Sequence, residues 1–158
     1  MISFLLLSAA AALAEPLAPL QFLSGQCWQA AIGDGTQIDK HCFEPVYGGK
    51  HLRDRHVVTN AAGEVTYEGE TIYAFNGKAK RIEFAYFSSD GGVSYGSVAA
   101  KEGGQLLDFG DETFNGPDGK ELKLSTEWRR IGVDAYEAVS RGGFMPTGKR
   151  VTRYERVR

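Results

Sequence analysis

The chain has 158 residues, 42% hydrophobic and 24% charged, with 18 Lys and Arg against 20 Asp and Glu for a formal charge of −2. That balance gives no basic footprint for nucleic acid and no block of like charge for a membrane surface, and the length fits one domain. Nine Phe, seven Tyr and two Trp mark a folded chain rather than a disordered one, and twenty Gly mark many turns.

The opening run MISFLLLSAAAALA has no charged side chain, and its apolar stretch is led by Ile2, Phe4, Leu5, Leu6 and Leu7. It closes on Ala12-Leu13-Ala14, the small-x-small pattern that signal peptidase accepts. Residues 1–14 therefore read as a signal peptide cut before Glu15, and 15–158 as the mature domain. Crossing a bilayer takes roughly 20 apolar residues, so the run is too short to span; a buried N-terminal helix is the alternative. The expected destination is the periplasm or the medium, with the protein soluble and without a membrane anchor.

A short helix is expected at Leu17–Leu23, closed by Gly25. Beyond it, stretches of about six to twelve residues tend to alternate apolar and polar between turn signals. Strands are predicted at 26–32, 36–44, 50–59, 64–75, 79–87, 93–99, 105–110, 120–129, 133–140 and 149–157. The turns between them fall at Asp34-Gly35, Pro45–Gly49, Asn60–Gly63, Asn76-Gly77, Ser88–Gly91, Gly103-Gly104, Asn115–Gly119, Ile131-Gly132 and Arg141–Gly148. A sheet this large with free edges would invite edge-to-edge pairing, which points to a closed barrel or a sandwich. The fold predicted is all-β: a single antiparallel up-and-down barrel of about 8–10 strands with a short N-terminal helix.

Hairpin turns let the register be written down. A two-residue turn at Asn76-Gly77 sets Tyr67 opposite Tyr86, Gly69 opposite Phe84 and Thr71 opposite Ile82. A four-residue turn at Asn60–Gly63 sets Val58 opposite Val65, His56 opposite Tyr67 and Leu52 opposite Thr71, with Arg55 opposite Glu68 and Arg53 opposite Glu70 on the other side. One face then collects Val65, Tyr67, Tyr73, Phe75, Ile82, Phe84 and Tyr86. The other carries Arg53, Arg55, Glu68, Glu70, Arg81 and Glu83 and reads as solvated exterior. Glu68 and Glu70 could serve as an acid pair, but alternation places polar residues two apart on any solvated sheet.

Cys27 and Cys42, the only two cysteines, face each other across the Asp34-Gly35 turn. In an oxidising compartment a disulfide is expected there. A regular two-residue turn makes them a hydrogen-bonded pair with α carbons about 5.5 Å apart, which is not the closest kind; a bulge would relieve that. Gln26 stands where a lipoprotein signal wants a small residue, so no lipid is expected on Cys27. Two cysteines so placed offer too few ligands for zinc.

All three histidines, His41, His51 and His56, lie within sixteen residues of one another. The registers put His41 opposite Trp28 and His56 on the interior face, giving a candidate polar cluster of Asp39, His41, Asp54, His56, Trp28 and Tyr67. Such a cluster describes a ligand site and equally a buried hydrogen-bond network. His41, His56 and Asp54 are ligand types that zinc accepts, but no compact spacing such as HExxH supports a metal, so neither metal nor cofactor is assigned. No strand-to-helix nucleophile elbow is assigned, and Gly91-Gly92 and Gly103-Gly104 sit at hairpin turns rather than before a helix.

Phe22-Leu23-Ser24-Gly25-Gln26-Cys27-Trp28 resembles the short helix, glycine and first-strand tryptophan that open many calycin barrels, the lipocalin and fatty-acid-binding-protein group. Phe43–Gly49, the run Tyr67–Glu70 and the closing Tyr154-Glu155-Arg156 resemble bacterial exported lipocalin-like proteins of unknown function and, more loosely, nitrobindin. The resemblance implies an antiparallel barrel around an interior that often holds a small apolar ligand, with Trp28 at the barrel floor. It does not carry over haem, because no His follows His56, nor the Arg-x-Tyr carboxylate grip, whose nearest match is the reversed Tyr154-x-Arg156.

The leading expectation is an exported, non-enzymatic barrel whose partner is a small, largely apolar ligand. Trp28, Tyr67, Phe84 and Tyr86 would line the cavity, and His56, beside His41 and Asp54, would orient the ligand's polar end. One alternative is a small enzyme using His41, Asp54 and His56 as acid and base. The other is a cavity-free barrel that acts through its surface, its interior filled by side chains.

Overall fold

A strand sends alternate side chains to opposite faces, and closing the sheet gathers one set inside. The computed structural model describes residues 12–143 and 148–158. Among these residues the strands are β1 (Cys27–Ile32), β2 (Gln37–Val46), β3 (His51–Asn60), β4 (Val65–Asn76), β5 (Arg81–Ser88), β6 (Val93–Lys101), β7 (Leu106–Asn115), β8 (Glu121–Arg130), β9 (Ala135–Gly142) and β10 (Lys149–Arg156). Each pairs antiparallel with the next, and β10 returns to β1, so the barrel is closed and has no free edge. The predicted all-β, up-and-down barrel is the fold. No helix among the described residues is long and apolar enough to cross a membrane.

The N-terminal helix is a 3-10 helix at Glu15–Leu20, starting and ending earlier than the short helix expected at 17–23. Pro16 near its start and Pro19 within it supply no amide hydrogen, which keeps it from propagating. Leu17, Leu20 and Leu23 are fully buried and join the barrel core. Beside them Phe22, Trp28 and Tyr136 meet edge to face, with ring centroids 5.3 to 6.3 Å apart. This segment plugs one end of the barrel. Residues 1–11 of the expected signal peptide lie outside the described residues, as does part of the loop expected at Arg141–Gly148. Leu13 packs into the core, and the Ala14 amide donates to the Gly49 carbonyl at 2.8 Å.

Two registers differ from those predicted, both by an even number of residues. Between β3 and β4, Leu52 faces Tyr73, Arg55 faces Glu70, His56 faces Gly69 and Val58 faces Tyr67. The loop is one residue shorter than expected, because Asn60 itself closes it by accepting the Gly63 amide, and a bulge at the start of β4 adds a second residue of slip. The bulge turns Val65 outward, to 58% exposure, where the simple alternation places it inside. Between β4 and β5, Thr71 faces Tyr86 and Tyr73 faces Phe84. The turn is four residues long: Asn76 Oδ1 accepts the amides of Lys78 and Ala79, and Lys80, not Gly77, takes the positive φ of 55°. Because the side-chain period is two, even slips leave the remaining side chains on their predicted faces.

The first hairpin keeps its predicted partners, including Cys27 with Cys42 and Trp28 with His41. Its turn also spans four residues, Gly33–Thr36, with Gly33, Asp34 and Gly35 all at positive φ. That shifts the hydrogen-bond phase and places the cysteines in a narrow pair, with α carbons 4.1 Å apart, joined by a disulfide. Pro45 and Val46 extend β2 instead of forming a turn, and β7 continues past Gly110 to Asn115. Gly110, at φ 61°, sits in a register break between Asp108 and Asp111 that bends the strand without ending it.

Candidate functional site

On the inner face of β2 alternation presents Asp39, His41 and Phe43, and on β3 it presents Asp54 and His56. The register sets His41 directly opposite His56 and Asp54 opposite Phe43. The two imidazoles stack, with centroids 4.3 Å apart and planes 13° from parallel. His41 Nδ1 lies 2.7 Å from Asp54 Oδ2. On its other edge, His41 Nε2 is 3.4 Å from Asp39 Oδ1, and His56 Nε2 is 2.8 Å from that same oxygen. Tyr154, arriving on β10, donates its hydroxyl proton to Asp39 Oδ2 at 2.7 Å.

Asp39 and Asp54 are only 4% and 1% exposed, so their charges are sustained by neighbours rather than by water. Burial alone would raise the Asp39 pKa, but the imidazoles of His41 and His56 reverse that and hold the carboxyl well below its usual range. Burial would likewise strip the proton from His41. The Asp54 charge, hydrogen bonding to both carboxylates and the Asp39 charge outweigh it and raise the imidazole to about 10. Three buried polar atoms in the cluster nonetheless have no well-directed hydrogen-bond partner: Asp39 Oδ1, Asp54 Oδ1 and His56 Nε2. Orphans of this kind are rare in a folded interior and point to something beyond the cluster itself.

The cluster occupies one wall of a cavity of about 230 Å³. Tyr73, Phe84, Tyr86, Phe109, Phe114, Leu124 and Trp128 supply the apolar part, while Thr71, Ser94, Glu112, Thr126, Ser140, Arg150 and Thr152 add polar groups. Tyr73, Phe84 and Phe109 also belong to the core, so the wall is continuous with the packed floor. Burial raises the pKa of Glu112, against a weak contact at 3.5 Å from the Ser94 hydroxyl.

Of the residues singled out from sequence, His41, Asp54, His56, Phe84 and Tyr86 line the cavity. Trp28 does not; at 1% exposure it is pressed against Tyr136 and Phe22 under the plug. Tyr67 stands behind the wall, its ring edge-on to His56 and its hydroxyl 2.5 Å from that of Tyr86. Tyr86 reaches it by lying across Gly69, where a β carbon would come within 2.5 Å of the Tyr86 hydroxyl oxygen. Burial first, then the hydrogen bond with Tyr67, pushes the Tyr86 phenol pKa upward. Sequence reasoning missed Tyr154, Glu112, Trp128 and Phe109. Alternation along β8 and β10 carries a signal for Trp128 and Tyr154; Glu112 was hidden by reading Gly110 as a strand end.

No protein-family model matches the chain, and no curated protein matches it.

Proposed function

We propose that this barrel binds one small, largely apolar, ring-sized molecule whose polar end meets the Asp39–His41–Asp54–His56 cluster. The observation that carries this reading is the cavity itself: an aromatic wall with convergent polar groups on one side, which is the usual make-up of a small-molecule site. Its 230 Å³ sets the size of the occupant. An apolar cavity of about 150 Å³ already admits benzene, and drug-sized pockets start at about 300 Å³, so one or two rings fit while a long-chain fatty acid or haem does not. The cavity also counts against an interior filled by side chains. The acid–base reading is less well supported, because His41 has a carboxylate beside each ring nitrogen, at 2.7 Å and 3.4 Å, that competes for any substrate proton.

The closed antiparallel barrel fits the calycin resemblance. Export through a cleaved Met1–Ala14 leader is part of the same proposal, and the Cys27–Cys42 disulfide suits an oxidising destination. The test titrates the protein with one- and two-ring aromatic amines, alcohols and acids, and with palmitate and haemin, following Trp128 fluorescence, and adds native mass spectrometry of protein purified from its own host. Saturable quenching by compact ligands, lost in Trp128→Phe, is expected, with none from palmitate or haemin. Absence of saturable binding across the panel together with no added native mass sinks the proposal.

A further inference from the structure

The polar wall of the cavity is also built as a metal centre. One ring nitrogen from each of His41 and His56 and an Asp39 carboxylate oxygen lie within 4.8 Å of one another, and both Nε2 atoms approach Asp39 Oδ1. In a tetrahedral zinc site, with Zn–N and Zn–O bonds near 2.0–2.2 Å, neighbouring donor atoms stand about 3.3 Å apart. The 3.4 Å from His41 Nε2 to Asp39 Oδ1 already has that spacing, and the 2.8 Å to His56 Nε2 needs to open by about half an ångström. The rings are 13° from parallel, so closing on one ion requires their Nε2 edges to lean together.

Two further features select this trio. Asp39 Oδ1 and His56 Nε2 are buried and 2.8 Å apart but have no well-directed hydrogen bond, and Asp39 as a whole is 4% exposed. The remaining polar atoms of the ligands are tied down in the way metal ligands are. Asp54 takes the Nδ1 edge of His41 at 2.7 Å and so turns Nε2 toward Asp39, while the Tyr154 hydroxyl occupies Asp39 Oδ2 and leaves Oδ1 for coordination. A carboxylate behind a ligating imidazole fixes its tautomer and orientation. Asp54, the acid that ligand type alone would have chosen, is therefore a positioning residue, and Asp39 is the ligand.

We propose that His41 Nε2, His56 Nε2 and Asp39 Oδ1 bind a divalent first-row transition-metal ion, represented by Zn²⁺, with one coordination position left open toward the cavity. Three protein ligands plus an open position is the pattern of a zinc site that exchanges water for a small ligand. A carboxylate, thiol or hydroxyl on the cavity's occupant would take that position. The inference goes beyond organic-ligand binding and stands without it, because the metal is tested alone.

Untagged protein is stripped with chelator and titrated with Zn²⁺ by calorimetry, then gel-filtered for elemental analysis; Co²⁺ serves as a spectroscopic reporter. One zinc ion per chain is expected, with visible Co²⁺ bands of low coordination number and a zinc-dependent rise in Tm. Asp39→Ala and His56→Ala should each weaken binding by about 100-fold or more, and Asp54→Asn by about 10–100-fold. His51→Ala, outside the trio, should leave it unchanged. If a variant fails to fold, His56→Gln and the wild-type Co²⁺ spectrum decide. Failure of the wild type to retain zinc, or retention that survives both Asp39→Ala and His56→Gln, overturns the proposal whether or not organic ligands bind.

Discussion

Glu112 projects into the cavity wall from the half of β7 beyond the Gly110 bulge, 3.5 Å from the Ser94 hydroxyl, and burial raises its pKa. An acid whose folded-state pKa lies above its unfolded value binds its proton more tightly when folded. Between those two values the native state holds more protons, so stability falls as pH rises through the window; below the unfolded pKa the carboxyl is protonated in both states and the penalty is absent. Glu112→Gln keeps the shape and removes the charge. It should raise Tm at pH 7 by about 2–4 °C, the size of a 1 kcal/mol gain in a domain this long, and leave it unchanged near pH 4. Thermal melts of both proteins at the two pH values decide; an equal shift at both would mean that ionisation is not the cause.

The seam between β1 and β10 is the thinnest junction in the barrel, with two paired residues, Trp28 with Arg156 and Gln29 with Glu155, against six between β1 and β2. The disulfide ties the start of β1 to β2 beside that seam, closing a loop with a sequence separation of 15. A loop of that length gives about 3 kcal/mol from the restricted unfolded chain. Replacing both cysteines by serine should therefore cost about 2–4 kcal/mol in urea unfolding, and amide exchange in β1 and β10 should accelerate before that in β4 and β5. Exchange that quickens evenly around the barrel would place the weak point elsewhere. The Cys27–Cys42 pairing was legible from sequence because it is set by one local turn. The turn at Asn76 was misjudged because the Asn76 side chain and a left-handed Lys80 do work there that Gly77 was expected to do, and the turn at Asn60 because Asn60 joins the ladder and a bulge follows it. The faces survived, since the slips were even; Val65, beyond the bulge, was the exception. The Tyr154–Asp39 hydrogen bond joins residues 115 apart, and no hairpin rule reaches across a seam that only closure of the whole sheet creates.

At the scale of the whole molecule, a ten-strand barrel has two ends, and a one-ended cavity needs the other end stopped. The polar cluster and cavity lie in the strands, while Leu17, Leu20 and Leu23 stop the end where Trp28 sits. Burying a leucine fully is worth about 1.5–3 kcal/mol, so losing these three removes roughly 5–9 kcal/mol from a domain whose whole stability is about 5–15 kcal/mol. A chain beginning at Glu15, as cleavage after Ala14 would leave it, keeps all three but loses the packing of Leu13, its amide bond to Gln21 Oε1, the Ala14 amide to Gly49 and the Ala14 carbonyl that accepts from Leu17. It should unfold cooperatively and bind the same ligands as a chain beginning at Ala12, at a cost of about 1.5–3 kcal/mol. A chain beginning at Ser24 should lose cooperative unfolding and Trp128-monitored binding together. Urea denaturation of the three lengths separates the cases: a Ser24 form that unfolds with an unchanged midpoint would show that the plug covers the barrel without stabilising it.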